Sequence, residues 1–186
     1  MSSKKNKKRP HFQLEEKYKD KLPLKGGPLS GIVVIDICRA VAGPTCTKLL
    51  LDLGCRVIKC ENYGSDSIRL DRPYFAQLNS GKESVKIDFK DTSDMEVFHK
   101  ILQKADILVE NFRPGVTKKL GISYEDLHQQ YPRLIYGSVS GYGQTGPDSR
   151  KPAMDVIIQA SSGFMAVSGF ADKPPTGLGA VPADVS

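Results

Sequence analysis

The sequence has no tryptophan and, in 186 residues, only three histidines and four cysteines. Each scarcity removes a class of chemistry. Cys38, Cys46, Cys55 and Cys60 show neither the C-x-x-C spacing nor the neighbouring histidines that a zinc site needs, so no metal site is expected. Lying on or beside apolar runs, all four read as buried thiols of a reducing compartment rather than a disulfide framework. His11, His99 and His128 are scattered, and surface roles are expected for them. No apolar run reaches the ~18 residues of a membrane-spanning helix. The polar start is unlike a signal peptide. There is no G-x-G-x-x-G string, and no internal repeat.

The net charge of +6 is not spread over the chain. Residues 1–25 hold eight lysines and Arg9 against Glu15, Glu16 and Asp20, which accounts for all of it; the remainder balances 18 against 18. Residues 1–28 therefore read as a basic, disordered leader, with a solvated tail favoured over a nuclear, mitochondrial or acidic-partner address. No nucleic-acid partner is expected, because that would need basic residues clustered on a folded face. The remaining 29–186, in a chain 39% hydrophobic, suffice for one domain with a sizeable core.

From residue 29 the pattern is short β-branched runs alternating with helical periodicity. Strands are predicted over Gly31–Ile37, Cys55–Cys60, Ser84–Phe89, Ala105–Val109 and Leu134–Val139. Helices are predicted over Thr45–Leu53, over Met95–Lys104 with Val97, Ile101 and Leu102 on its inner face, and over Val156–Met165. Ser123 and Asp126 have the spacing of a helix start. Such alternation predicts an α/β fold, a Rossmann-like parallel sheet with helices on both faces. Ligands of these sheets collect at the carboxyl ends of the strands. Three rigid polar loops fall there: Arg39 to Thr45, with Pro44 where a helix begins; Glu110 to Gly115; and Gly141 to Pro147.

These loops lie within five strings, G-I-V-V-I-D-I-C-R-A-V-A-G-P, D-L-G-C-R-V-I-K-C-E, A-D-I-L-V-E-N-F-R-P-G, P-R-L-I-Y-G-S-V-S-G-Y-G-Q-T-G-P and D-V-I-I-Q-A-S-S-G-F-M. In this order, with Asp184 after them, they resemble the family III CoA-transferases. The resemblance implies transfer of CoA from an acyl-CoA to a small carboxylic acid, with coenzyme A as substrate and no permanently bound cofactor. It implies Asp184 as nucleophile, accepting the acyl group as a mixed anhydride and then carrying CoA as a thioester. Its CoA contacts map onto Val41 and Ala42, onto Ile87, Asp88, Phe89 and Lys90, onto Asn111, Phe112 and Arg113, onto Lys119, and onto Lys151, Pro152, Ala153 and Met154. Asn62 stands where some members carry a phosphate-binding arginine, with Arg69 or Arg72 as candidate substitutes. The resemblance further implies an interlocked homodimer, a cytoplasmic or mitochondrial setting, and a first domain that is incomplete here, with the second domain absent.

Two other readings share these strings. The α-methylacyl-CoA racemases have an aspartate at the position of Asp155, but it follows Gly-His there and Ala153-Met154 here. A CoA-binding fragment without turnover is the third.

Overall fold

The computed structural model describes residues 26–62 and 66–186; the expectation of a disordered leader lies, for residues 1–25, outside them. Five strands form one sheet: β1 (Val33–Asp36), β2 (Arg56–Glu61), β3 (Glu83–Lys86), β4 (Ile107–Glu110) and β5 (Ile135–Ser138). Their order is β3-β2-β1-β4-β5 and every pairing is parallel. The α/β expectation therefore holds. The order reverses between β1 and β4, and doubly wound sheets open a crevice at such a switch point.

The helices are α1 (Ala42–Asp52), α2 (Arg72–Asn79), α3 (Thr92–Leu102), α4 (Val116–Lys119), α5 (Tyr124–Leu127), α6 (Asp155–Ser161) and α7 (Pro182–Val185). Side chains alternate across the sheet and feed two cores. On one face Ile35, Ile37, Ile58, Cys60 and Leu108 pack with Phe98 and Leu102 of α3 and Leu127 of α5. On the other Val34, Val57 and Val109 pack with Cys38, Cys55 and Leu50 and Leu51 of α1.

Local chemistry fixes the ends of several elements. Ser123 and Asp126 form a reciprocal capping box at the start of α5, as their spacing suggested. Asp91 caps α3 by accepting from the Ser93 and Asp94 amides. Three expectations need correction. Cys46 is exposed on α1, while the other three thiols are buried. The centre of α3's inner face is Phe98, fully buried edge-on to Phe89, with Val97 and Ile101 only partly covered. The last predicted helix stops at Ser161, because Gly163 turns left-handed at φ 79° before a short 3-10 turn over Phe164–Val167.

Candidate active site

The loop between β1 and α1 is held from beneath by buried charge. Asp36, at the end of β1, is fully buried and accepts hydrogen bonds from Thr47 Oγ1 at 2.6 Å and Lys82 Nζ at 2.8 Å. Lys82 also donates to the Pro44 carbonyl, Thr47 Oγ1 and Asn79 Oδ1, which ties α2 to the start of α1. Lys59, equally buried, donates to the Cys38 carbonyl at 2.7 Å and lies within 4 Å of both Asp36 and Asp66. Asp66 accepts in turn from the Ala40 amide. Burial alone would raise the Asp36 carboxyl, but the Lys59 and Lys82 ammoniums and the Lys82 and Thr47 hydrogen bonds hold it below the usual range. For Lys82 burial prevails over Asp36 and lowers the ammonium.

The loop is clasped from the side as well. Asn111 Oδ1 accepts from the Arg39 amide at 2.8 Å and its Nδ2 donates to the Arg39 carbonyl at 2.7 Å, so one side chain satisfies both backbone groups of the facing loop. The Arg39 guanidinium lies over the Phe112 ring, 5.2 Å from its centroid. Gly43 permits this closeness, since a Cβ there would sit 2.3 Å from Cys38 Sγ and 3.2 Å from Asn111 Cγ. Behind Asn111, buried Glu110 accepts from the Phe112 amide and the Ser138 hydroxyl, and burial raises its carboxyl. Gln144 donates to Ser138, bringing the third loop into the same chain of bonds.

A cleft opens at the switch point, lined by Ile37 to Arg39, by Cys60 to Asn62 at the end of β2, by Asp66, and by the rings of Phe89 and Phe112. About 220 Å³ of non-atom space lies within it, counting the solvent open at its mouth, so it is a surface recess and not an enclosed cavity.

Asp184 lies in α7, which packs against both α6 and α1, the helix that springs from the clasped loop. Its carboxyl is half-buried and raised, first by burial and then by the charge of Asp155. Tyr74 of α2 is close enough to both carboxylates for their charges to raise its phenol, after burial. Asp155 Oδ1 accepts from the Ala183 amide at 2.8 Å, and its other oxygen accepts from Gln159.

The profile of CoA-transferase family III matches residues 29–186. The chain belongs to CoA-transferase family III. It is 48% identical over 161 residues to an acetyl-CoA:oxalate CoA-transferase of Acetobacter aceti, an alignment covering 82% of this chain and 41% of that one. It is 34% identical over 168 residues to succinyl-CoA:glutarate CoA-transferase of Mus musculus, covering 86% and 38%. A crystal structure of a CAIB/BAIF family protein from Brucella suis superposes with a TM-score of 0.83 at 35% identity, over 87% of this chain and 46% of that one. The chain thus spans about two-fifths of the length of these curated relatives.

Of the CoA contacts expected of a family member, Asn111 and Phe112 both engage Arg39 of the loop that runs on into Val41 and Ala42, and Phe89 joins Phe112 on the cleft wall. The Ile87 side chain is buried in the core, so it offers a ligand only backbone, whereas Asp88 and Lys90 lie at the open strand end, their amides bonded to Asp94 and Asp88. Arg113 and Lys119 are exposed on and after the β4 loop. Lys151, Pro152, Ala153 and Met154 form an exposed strip; Lys151 pairs with Asp148 at 2.7 Å, and Ala153 sits against Gly141 so closely that a Cβ on Gly141 would meet it at 2.1 Å. Arg69 is committed to Glu61 and lies over Phe75. Among the described residues there is no cluster of side chains able to hold a metal ion, and no helix long and apolar enough to cross a membrane.

Sequence reasoning missed Lys59, Lys82, Asp66, Glu110, Tyr74 and Gln159. One signal was present: an isolated lysine within the apolar R-V-I-K-C-E run, near an equally isolated aspartate in G-I-V-V-I-D-I, is the mark of a buried pair.

Proposed function

We propose that this chain supplies the CoA-gripping face and the nucleophile of a CoA-transferase that moves CoA from an acyl-CoA to a free carboxylic acid. Asp184 attacks the thioester carbonyl; a C–O bond forms, the C–S bond breaks, and CoA leaves as a thiolate from a mixed anhydride. The thiolate then attacks the Asp184 carbonyl, releasing the first acid as its carboxylate and leaving CoA on Asp184 as a thioester. The acceptor carboxylate repeats both steps in reverse, which frees Asp184 and yields the new acyl-CoA. A carboxylate suits this role because an acyl group on it remains activated. Val41, Ala42, Asn111 and Phe112 hold the nucleotide end, with Arg113, Lys119, Lys151 and the strand end at Ile87 to Lys90 along the phosphates and Pro152 to Met154 beside them. The complete protein acts as a homodimer, and the substrate acids are small carboxylates such as those named for the relatives.

The observation that carries this reading is the seating of Asp184, half-buried, on a helix packed against the one that begins at the clasped loop. A carboxylate made more basic by burial and a neighbouring charge is, in its ionised form, a better nucleophile than an ordinary one. Incubating the protein with acetyl-CoA and oxalate and trapping with hydroxylamine should mark Asp184, as read by peptide mass. Transfer by an Asp184→Ala protein would refute the assignment.

Asp155 bears on the racemase-like alternative. Both of its oxygens already accept hydrogen bonds from the protein, one from a backbone amide and one from Gln159, which leaves it poorly placed to act as a base. Deuterium entering an α-methyl acyl-CoA in heavy water, with no acceptor acid present, would favour the racemase instead.

A further inference from the structure

Asp184 is carried by a segment with little regular structure of its own, yet that segment is pinned at three backbone positions by two side chains of α6. Gln159 is buried, 2% exposed, although it lies on a helix whose neighbouring residues are largely exposed. Its Oε1 accepts from the Leu178 amide at 3.0 Å, and its Nε2 donates to the Ala180 carbonyl at 3.3 Å and to Asp155. Asp155, one turn earlier, accepts from the Ala183 amide at 2.8 Å. Leu178, Ala180 and Ala183 are thereby fixed against one helical turn, and Asp184 follows directly.

The polarity of the pair is determined. The Leu178 N–H requires an acceptor, so the Gln159 oxygen must face it and the NH₂ must face Asp155. Asp155 must then present acceptors on both sides, which a carboxylate does and an amide cannot. The geometry points to Asp155 and Gln159 as a positioning pair that sets the register of the Asp184 segment; this role rests on the proposed chemistry at Asp184. Neither is a catalytic residue. A displacement of about 1 Å at a reacting group can cost on the order of a hundredfold in rate, so the pair should govern turnover while leaving acyl-CoA binding at the clasped loops unchanged.

Exchanging the two polarities provides the test. Asp155→Asn sets two NH₂ groups against each other, and Gln159→Glu sets two carboxylates together. In the double variant the amide introduced at position 155 donates to the carboxylate introduced at position 159 and acceptors remain for Leu178 and Ala183, while the Ala180 carbonyl loses its long 3.3 Å donor, so the recovery expected is at the Leu178 and Ala183 amides and not at Ala180. Each single variant should speed hydrogen exchange at the Leu178 and Ala183 amides by about tenfold, the worth of one lost hydrogen bond, and the double variant should recover protection. Hydroxylamine trapping at Asp184 should fall in the single variants and return in the double, with the Kd for acyl-CoA constant. Unchanged exchange in both single variants, or a double variant no better than either, overturns the proposal. Exchange is read without any reaction, so failure of the pair is distinguishable from failure of the chemistry assigned to Asp184.

Discussion

The two ends of the described chain hold their functional loops by opposite means. Around β1 and β4, the loop that leads into α1 rests on four buried charges, two lysines and two aspartates, and is clasped by Asn111 between two cores. Beyond β5, the segment bearing Asp184 rests on Asp155 and Gln159, while Met154, Val167 and Phe170 stand 68%, 85% and 82% exposed. Burial makes the first arrangement redundant and stiff, since moving one loop atom disturbs several desolvated partners. The second depends on a few part-buried hydrogen bonds, made by one buried glutamine and one aspartate of a helix whose other residues are largely exposed. A grip on a nucleotide can be built by the first method; the covalent role proposed for Asp184 is better served by the second.

The largest effect that would break this contrast lies at Asp36. Asp36→Ala leaves Lys59 and Lys82 buried without their shared anion, and removing one partner from such a site costs about 3–5 kcal/mol. Urea unfolding should show a loss of that order, and a loss below that of Gln159→Leu would mean that the two regions are not held differently. The parent protein's acid sensitivity gives a second measurement. Asp36 is held below its ordinary 3.8, so on acidification the unfolded chain binds the proton first. Its contribution is complete above pH 3.8 and is lost as the pH falls through its folded-state value. The Asp36→Ala variant should therefore have a flatter stability profile below about pH 4 than the parent.

A matched pair of glycines sharpens the same comparison at smaller scale. A Cβ on Gly43 would meet Cys38 Sγ at 2.3 Å, and one on Gly141 would meet the Ala153 Cβ at 2.1 Å. The nominal overlaps are alike, but Cys38 is buried in a core and Ala153 lies on an exposed strip. Gly43→Ala should cost about 1–3 kcal/mol, as overpacking of a tight core does. Gly141→Ala should cost less than about 1 kcal/mol, because its neighbour can yield. Equal losses in thermal unfolding would show the C-terminal strip to be as stiff as the sheet.

How far the sequence revealed these regions follows the same division. Every strand overlaps its predicted run, and the central β1, β2 and β4 carry the apolar signal of a doubly covered sheet, but β3 on the exposed edge begins one residue early and ends at Lys86, three residues short of the expected end at Phe89. The clasped loops were recognisable from their order at the strand ends, but not what holds them: Lys59 and Asp36 each look like one polar position in an apolar run, and their meeting is a product of strand pairing. Helix α2 escaped notice because D-R-P-Y-F-A-Q-L-N is short and weakly periodic; it starts on the Asp71 cap with Pro73 in its first turn. The Gln159 contacts were hidden for a different reason. They join residues 19 and 21 apart through backbone groups, which every residue carries and no sequence pattern distinguishes.

The smallest predicted effect concerns Asp184 itself, and its sign separates a functional residue from a structural one. Burial and the Asp155 charge raise its carboxyl above the ordinary 3.8. A raised carboxyl opposes folding once it ionises: the folded form binds its proton to higher pH than the unfolded chain, so stability present below pH 3.8 is lost as the pH climbs through the folded-state value. Asp184→Asn should consequently stabilise the protein slightly at about pH 7 and leave it unchanged at about pH 3, where the parent carboxyl is protonated in both states. Partial exposure screens the group, and the gain should fall well below the loss at Gly43. Asp36→Ala, by contrast, destabilises at neutral pH, and its penalty shrinks only as the pH falls below 3.8 toward the lower folded-state value. Thermal unfolding of both variants at the two pH values distinguishes a carboxylate placed for chemistry at some cost to the fold from one placed for the fold alone.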